Sequence, residues 1–246
     1  MLTSEHIIFA TCLCLVFGGV SFRFKAVDFS GFLAGIFVGI PIIIFGGFEF
    51  FFILAFFFVT ASVATKFRYE EKRRKGVAEK NKGARSYLNV LGNGIVSAIF
   101  AVLYYVGPTY FNLNSQIFLL GFLGSIATAA ADTAGGEIGR LSTYKPRLIT
   151  NFKVVETGSD GGVTILGEIA ELFVAFIIGL AAYFAGLGDM SMVIITMIAG
   201  FIGSNIDSYV GATLETWYKS FGNNHTNITA TVAGGVFGAL LYFIQI

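Results

Sequence analysis

Charged residues are scarce in this sequence. Asp, Glu, Lys and Arg make up 13% of its 246 residues, whereas hydrophobic residues make up 55% and the mean hydropathy is +0.78. A water-soluble globular protein of this length would expose too much hydrocarbon surface with such a composition. The scarcity of charge therefore excludes the soluble classes and indicates an integral membrane protein.

Polar alternation is also lacking, and long apolar runs fill most of the chain. A bilayer core about 30 Å thick requires about 20 apolar residues per helix, whereas a membrane strand would alternate polar and apolar residues. The runs predict an all-α, polytopic transmembrane helical bundle of about eight spans with a polar site facing the cytoplasm. The predicted spans are residues 5–22, 29–46, 48–65, 88–107, 115–133, 165–186, 190–210 and 229–245.

Cysteine and histidine are rare, with two residues of each. Cys12 and Cys14 are two positions apart in the first predicted span, about 200° around a helix, so neither a disulfide nor a metal pair is expected. His225 is predicted to lie in the loop before the last span. Any metal site in this chain is therefore expected to use oxygen ligands.

Basic residues are absent from one side of the predicted bundle. All sixteen Lys and Arg, the last of them Lys219, fall on the other side, while Glu5, Glu49 and Asp189 are the charges on the base-free side. Lys and Arg are retained in cytoplasmic loops. We therefore expect a multi-pass protein of the cell membrane, with both termini outside and the basic loops in the cytoplasm.

The composition divides the chain into three parts. Residues 1–66 hold three spans rich in Phe and Gly with almost no polar residue at depth, which predicts an N-terminal scaffold. Residues 67–87 form a basic cytoplasmic loop, interpreted as an orientation signal that contacts anionic lipid headgroups, with a substrate role as the alternative. Residues 88–246 carry polar groups inside or at the ends of helices and are predicted to be the catalytic membrane domain.

The polar groups of the third part gather at the cytoplasmic boundary. An ionised carboxylate near hydrocarbon is costly and marks a functional site, and seven carboxylates at one depth would repel one another without cations. Carboxylate and asparagine oxygens favour Mg²⁺ over zinc or copper. The alternative is that Glu168, Glu171 and Glu215 cap helix ends in water. The group consists of Asn89, Asn93, Asp132, Glu137, Asp160, Glu168, Glu171, Asp207, Ser208, Glu215, Asn223, Asn224 and Asn227.

An internal echo relates two of the acidic segments. "GFLGSIATAAADTAGGE" and "GFIGSNIDSYVGATLE" share a Gly-Phe-x-Gly-Ser entry and an Asp-[Thr/Ser]-x-x-Gly segment, with a difference of four residues in the spacing. Four residues are about one helical turn, so Asp132 and Asp207 are expected to face a common cleft. Glu137 lies about 140° from Asp132 on an unbroken helix, and the two could share a metal only if Gly135 and Gly136 break that helix.

A glycine-rich loop follows a cluster of bases. "TGSDGGVT", residues 157–164, precedes a predicted helix, where backbone N–H groups favour a phosphate. It is neither a Walker loop nor a dinucleotide fingerprint. The upstream bases could neutralise a triphosphate. The alternative is an ordinary cytoplasmic loop with a turn. The candidate phosphate-binding residues are Arg140, Lys145, Arg147, Lys153, Gly158, Ser159, Asp160, Gly161 and Gly162.

Several motifs together resemble one family. "NVLGNG", "ADTAGGEIG", "KPRLIT", "ETGSDGGVTILG" and "GSNIDSYVGATLE" look like the integral-membrane phytyl-phosphate kinases of the tocopherol pathway and their archaeal, bacterial and animal relatives, the transmembrane-protein-nineteen group. The chain departs from the pattern at Gly136, where a small hydroxyl residue is expected, and at Asp160, where asparagine is expected. The resemblance implies a transferase that uses CTP to convert an isoprenyl monophosphate to its diphosphate.

The roles of the candidate residues follow from phosphoryl transfer, which needs charge neutralisation and in-line positioning. Asp132, Glu137 and Asp207 are predicted to hold the Mg²⁺ cofactor, with Asp132 and Asp207 catalytic. Lys145 and Arg147 are predicted to be catalytic phosphate contacts. The acceptor phosphate is already ionised, so no strong general base is required. The hydrocarbon tail is expected between helices.

Two other functions remain open at this point. A CTP-dependent lipid cytidylyltransferase would use the same metal and triphosphate but release pyrophosphate. A transporter of a cation or an anionic lipid would also use intramembrane acids, although its acids would gather at the midplane rather than at one boundary. The net charge of +1 gives nucleic-acid binding little support.

Overall fold

The computed structural model describes residues 4–218 and 222–244, and within them eight helices are long and apolar enough to cross a membrane. The prediction of a polytopic helical bundle is confirmed. The helices are α1 Ser4–Arg23, α2 Phe29–Gly46, α3 Phe48–Lys66, the short α4 Tyr69–Arg74, α5 Tyr87–Tyr110, α6 Ser115–Gly139, α7 Ile165–Phe184, α8 Met190–Val210 and α9 Asn223–Leu241.

Three helices extend by about five or six residues beyond their predicted ends, all at the same end of the bundle. α6 continues past residue 133 to Gly139, and α8 continues through the π-helical turn Gly211–Glu215. α9 begins six residues before the predicted 229, so the prediction that His225 lies in a loop is wrong. The backbone N–H of Gly222 donates to His225 Nδ1 at 3.3 Å, which caps the helix start and allows the polar residues to be helical.

α6 is the centre of the bundle. Of its most apolar 18-residue window 89% is buried, against 17% for α1 at the periphery. Small residues allow its neighbours to approach: a Cβ on Gly124 would overlap the Gly234 carbonyl of α9, and one on Gly203 of α8 would overlap Thr128. Such close packing is a main source of helix association in lipid. The lipid is as apolar as the helix surfaces, so the hydrophobic effect does not drive the helices together. The two echo segments, in α6 and α8, are thereby held side by side.

The loops that carry the basic residues lie at one end of the bundle, which we call the basic end. There Arg140 contacts Glu79 at 3.1 Å and Lys75 donates to the Arg140 carbonyl at 3.3 Å, so the loop before α5 touches the end of α6. Strands β1, Arg147–Leu148, and β2, Gly162–Val163, form an antiparallel hairpin before α7. Lys219, which was predicted on this side, lies outside the described residues.

One lysine of the basic loop is not at the surface. Lys72 is 0% exposed and binds Glu137 as well as the carbonyls of Ala64 and Thr65, at 3.1 and 2.9 Å. It therefore joins α4 to the ends of α3 and α6 and does not reach lipid headgroups. The division into scaffold, loop and catalytic domain stays a prediction.

Candidate active site

Two polar cavities open at the basic end, on either side of the last turns of α6. The asparagine cavity, about 180 Å³, lies between α5, α6 and α9 and is lined by four asparagine side chains. The glycine-loop cavity, about 140 Å³, lies between α6, α7, α8 and the loop of residues 157–164. Asp132, Gly136 and Arg140 border both cavities. The end of α6 is therefore the wall between them.

Asp132 of α6 and Asp207 of α8 form the centre of the site. Their carboxyls lie close enough to interact directly, so the predicted common cleft exists. Asp207 Oδ1 is buried and has no hydrogen-bond partner among the residues that the structure describes. Two carboxylates in contact repel each other unless a proton or a cation lies between them. The orphaned oxygen and the hard-oxygen donor set fit a Mg²⁺ ion, which is commonly bound by one or two carboxylates plus substrate phosphates and water.

Two further carboxylates of α7 lie behind this pair. Asn205 Nδ2 donates to Glu168 Oε2 at 3.2 Å and to Glu171 Oε2 at 3.5 Å, and all three side chains lie at the interface of α7 with α8. The alternative that both glutamates cap a helix in water does not hold for Glu171, which is 5% exposed. The N-terminus of α7 is capped instead by Thr164, whose Oγ1 accepts a hydrogen bond from Gly167 N at 3.0 Å.

The two glycines at the end of α6 do not break the helix, so that prediction is wrong. α6 is continuous to Gly139. A Cβ on Gly135 would overlap the carboxylate of Glu171, so this glycine makes room for α7. A Cβ on Gly136 would meet nothing within 4 Å, because Gly136 faces the opening between the cavities. Gly135 therefore allows close packing with α7, and Gly136 leaves the opening between the cavities free.

Glu137 is not available as the third metal ligand. On the unbroken helix it points away from Asp207, and its carboxylate is bound by buried Lys72 and by Arg140 Nη1 at 3.2 Å. Within residues 4–218 and 222–244 no group of three or more His, Cys, Asp or Glu side chains is placed to hold a metal ion. Of the three predicted ligands, the structure therefore brings Asp132 and Asp207 together and pairs Glu137 with bases.

Of the four predicted phosphate-binding bases, the structure brings only Arg140 to the cavities. Lys145 is exposed and pairs with Glu156 at 2.7 Å. Arg147 Nη1 donates to the Phe152 carbonyl at 2.8 Å within the hairpin, and Lys153 is exposed in the same hairpin. None of these three lines either cavity. The hairpin directs its bases outward because its inner face packs through Pro146 and the glycines.

The glycine-rich loop, residues 157–164, lines the glycine-loop cavity. Gly158 and Gly161 have φ of +91° and +69°, which L side chains rarely adopt. A Cβ on Gly161 would also overlap Ala212 of the π-helical turn. Asp160 and Ser208 line the same cavity. The loop thus brings Ser159 and the glycine backbone to the acidic pair, and its contact with phosphate stays a prediction.

The asparagine cavity contains a cation that the sequence interpretation missed. Arg85 precedes α5, and its Nη2 lies 3.5 Å from Thr133 Oγ1. Burial lowers the pKa of its guanidinium below the ordinary value, and the carboxylates of Glu79, Glu137 and Asp132 oppose that shift. Arg85 takes part in none of the ion pairs among the described residues.

The four amides of this cavity have different surroundings. Asn89 Oδ1 accepts from Ser86 N at 3.2 Å and caps α5, and Asn93 Nδ2 donates to the Asn89 carbonyl at 2.9 Å. Asn223 and Asn227 come from α9, and Asn227 Oδ1 is buried without a partner among the described residues. An acceptor left unpaired in a polar cavity is available to a bound ligand or ion.

Two predicted supporting residues lie outside both cavities. Glu215 Oε2 accepts from Thr226 Oγ1 at 3.0 Å and so joins the π-helical turn to α9. Asn224 lines a neighbouring groove, and its carbonyl and Cα lie next to Gly92 of α5. These two residues hold helices together in the structure and line neither cavity.

Four residues of the site were missed by sequence reasoning. Asn205 could have been found, because it is a polar residue two positions before Asp207 in an apolar run. Arg85 and Lys72 could not, because they are two of eight bases in one loop and no spacing distinguishes them. Thr133 resembles any small helical residue beside Asp132.

The comparisons with known proteins show similarity to a family of integral membrane proteins. The family model described as "Integral membrane protein DUF92" matches residues 12–239. An uncharacterized membrane protein of Methanocaldococcus jannaschii, MJ0933, is 38% identical over 89% of this chain and 87% of its own length. No solved structure matches the chain.

Two plant relatives are also similar. Protein PGR of Arabidopsis thaliana is 32% identical over 85% of this chain and 79% of its own length. The chloroplastic protein VTE6 of the same plant is 31% identical over 78% of this chain and 58% of its own length. The resemblance to the phytyl-phosphate kinase family that the motifs indicated is thereby confirmed.

Proposed function

Since the chain belongs to the DUF92 family of integral membrane proteins, we propose that it is a membrane-embedded, Mg²⁺-dependent kinase. In this proposal the terminal phosphoryl group of a nucleoside triphosphate, CTP by family resemblance, is transferred to an isoprenyl monophosphate. The observation that carries the proposal is the Asp132–Asp207 pair with its orphaned oxygen, at the wall between two polar cavities. By the distribution of bases, the site faces the cytoplasm.

The two cavities suit a donor and an acceptor. The glycine-loop cavity would hold the triphosphate, because the glycine-rich loop and Arg140 line it together with Asp132 and Asp207, which would hold the metal. The asparagine cavity would hold the acceptor phosphate, because Arg85, Arg140 and amides line it. Asp132 and Gly136 border both, so the two phosphates would meet at the end of α6.

The chemistry needs these residues for charge and position. Asp132 and Asp207 would hold Mg²⁺, which when bound neutralises phosphate charge. The bond from the γ-phosphorus to its bridging oxygen breaks, a bond to an oxygen of the acceptor phosphate forms, and the nucleoside diphosphate leaves with the bonding pair. Arg140, at both cavities, is placed to offset the repulsion between the two anions. No proton has to be removed from the acceptor.

Substitution of one member of the pair tests this assignment. In Asp207→Asn we expect the rise in melting temperature on adding Mg²⁺ and CTP to disappear, because ligand binding stabilises only the native state that binds it. Turnover should fall by roughly a hundredfold or more.

The matched control is at the other end of the same helix. Asp189 caps α8 through Ser191 N and Met192 N, and asparagine caps equally well, so Asp189→Asn should keep both the thermal response and the turnover. An Asp207→Asn variant that responds to Mg²⁺ and CTP as fully as Asp189→Asn would remove Asp207 from the site.

A further inference from the structure

We propose that an apolar cavity among α1, α2, α3 and α5 receives the hydrocarbon chain of the acceptor, and that Arg85 at its mouth binds the acceptor's phosphate. We call it the tail cavity. This inference rests on the proposed function for the identity of the acceptor. It assigns a substrate-binding role to the N-terminal helices, which the composition predicted to be a scaffold.

The walls of the tail cavity are almost wholly apolar. They are formed by side chains of all three N-terminal helices and of α5, among them Phe17, Phe32, Val38, Leu54, Phe57 and Phe58. Its volume is about 80 Å³, which is too small for a nucleotide base with its ribose and phosphates. Its apolar walls suit a flexible hydrocarbon chain.

The mouth of the tail cavity is shared with the asparagine cavity. Arg85, Asn89 and Asn93 line both spaces, so apolar and polar surfaces meet at these three side chains. An amphiphile with a phosphate head and an apolar tail would place its head in the polar cavity and its tail in the apolar one. With its phosphate beside Arg85, its head would lie in the cavity that Asp132 borders.

Arg85 is held in position by its own backbone. Its N–H donates to the Ala26 carbonyl and its carbonyl accepts from Asp28 N, both at 3.0 Å. A Cβ on Gly31 would overlap the Arg85 carbonyl, so this glycine allows α2 to approach. The guanidinium also lies 5.9 Å from the ring centroid of Phe57, a wall residue of the tail cavity. The α1–α2 connection therefore fixes a cation at the cavity mouth.

The cavity is long enough to distinguish chain lengths. On α2 its wall runs from Gly31 to Val38, and seven residues of α-helix rise ~10 Å. The mouth runs beside this wall, from Arg85 next to Gly31 to Asn93, whose neighbour Gly94 packs against Val38. A short prenyl phosphate would contact only part of this length, whereas a long one would contact all of it.

Two glycines provide a matched pair for the test. Gly35 lines the tail cavity, and Gly19 is exposed on α1 and does not line it; a Cβ on either meets nothing within 4 Å. Gly35→Leu should therefore fill the cavity without a clash, while Gly19→Leu adds the same side chain to the outer face of α1. Both replacements favour helix.

The first experiment measures equilibrium binding of labelled geranylgeranyl monophosphate to the full chain in nanodiscs, without nucleotide. We expect Gly35→Leu to raise its Kd by about tenfold or more and Gly19→Leu by less than about twofold, with dimethylallyl monophosphate affected equally little by both. Arg85→Met should weaken the binding of geranylgeranyl monophosphate and leave the binding of geranylgeraniol, which has no phosphate, unchanged. If the folded Gly35→Leu variant bound geranylgeranyl monophosphate with an unchanged Kd, the proposed role of the tail cavity would be overturned.

The second experiment uses the unsubstituted chain, so that it does not depend on a variant folding. Geranylgeranyl monophosphate with a photoreactive diazirine in its tail should crosslink to wall residues of α2 and α3. Crosslinks confined to outward-facing Phe37 and Phe52, which are 64% and 40% exposed, would overturn the inference and identify ordinary lipid contact.

The two proposals fail in different ways. Crosslinks in the tail cavity without phosphoryl transfer would leave the cavity standing and reject the kinase. Transfer with crosslinks elsewhere would leave the kinase standing and reject the cavity. No binding of the monophosphate to the unsubstituted chain would reject both.

Discussion

At the scale of single residues, the position of a charge in the fold matters more than its place in a motif. Arg140 and Arg147 both belong to the basic segment after the fifth span. The first borders both cavities, whereas the second is bonded to a carbonyl of its own hairpin on the surface. Only Arg140 is placed to contact two phosphates at once.

We expect Arg140→Ala to lower turnover by roughly a hundredfold to a thousandfold, the loss typical of a donor that stabilises transition-state charge. Arg147→Ala should change turnover by less than about threefold, because an exposed arginine outside the cavities contributes little. Steady-state rates with Mg²⁺ and CTP check both. A larger loss in Arg147→Ala than in Arg140→Ala would restore the role predicted from the motif.

The buried pair of Lys72 and Glu137 is a structural feature next to the site. Their side chains are 0% and 3% exposed. Without Lys72 the buried Glu137 would keep only Arg140 as its partner, so Lys72→Met should lower the free energy of unfolding by up to about 3–5 kcal/mol.

Lys75→Met is its control, since Lys75 is 39% exposed and pairs with Glu71 on one helix face. It should cost less than about 1 kcal/mol. SDS titration in mixed micelles measures both. Equal losses of unfolding free energy in the two variants would show that the buried pair contributes no more to stability than the exposed one.

At the scale of elements, α6 determines the geometry of the site. It runs unbroken past Asp132 to Gly139 and separates the two cavities. One face of its last turns meets α7, and the other carries Glu137 to Lys72. An element with two such faces can present Asp132 to two ligands.

The glycine pair of α6 separates packing from access. Gly135→Ala should destabilise the protein by about 1–3 kcal/mol, because its Cβ would overlap buried Glu171. Gly136→Ala should stabilise it by up to about 1 kcal/mol, because alanine favours helix and its Cβ meets nothing within 4 Å. Thermal unfolding measures the difference. Equal effects of the two substitutions would contradict the packing described for α6.

The elements also show what sequence reasoning could reach. Hydropathy is enough for the eight spans, and a polar residue in an apolar run is enough for Asp132 and Asp207. The helical continuation through Gly135 and Gly136 was mispredicted, because the penalty for glycine in a helix is small and tertiary packing with Glu171 outweighs it. The outward direction of Lys145 and Arg147 depends on hairpin geometry, which leaves no trace in their spacing.

At the scale of the whole molecule, the bundle joins a polar end to an apolar interior. The N-terminal helices approach the site through Arg85, which is bonded to Ala26 and Asp28 and faces the asparagine cavity. The echo helices α6 and α8 contribute the acidic pair. Donor, acceptor head and acceptor tail would thus each have a separate compartment. The donor and head compartments would meet at Asp132, and the head and tail compartments at Arg85.

The identity of the transferred group tests the central claim most directly. The purified protein is supplied with Mg²⁺, a prenyl monophosphate and CTP that carries label in its γ-phosphate. The account predicts label in a prenyl diphosphate with CDP as the other product. Label found only in released pyrophosphate, with cytidine joined to the lipid, would contradict the kinase and identify a cytidylyltransferase.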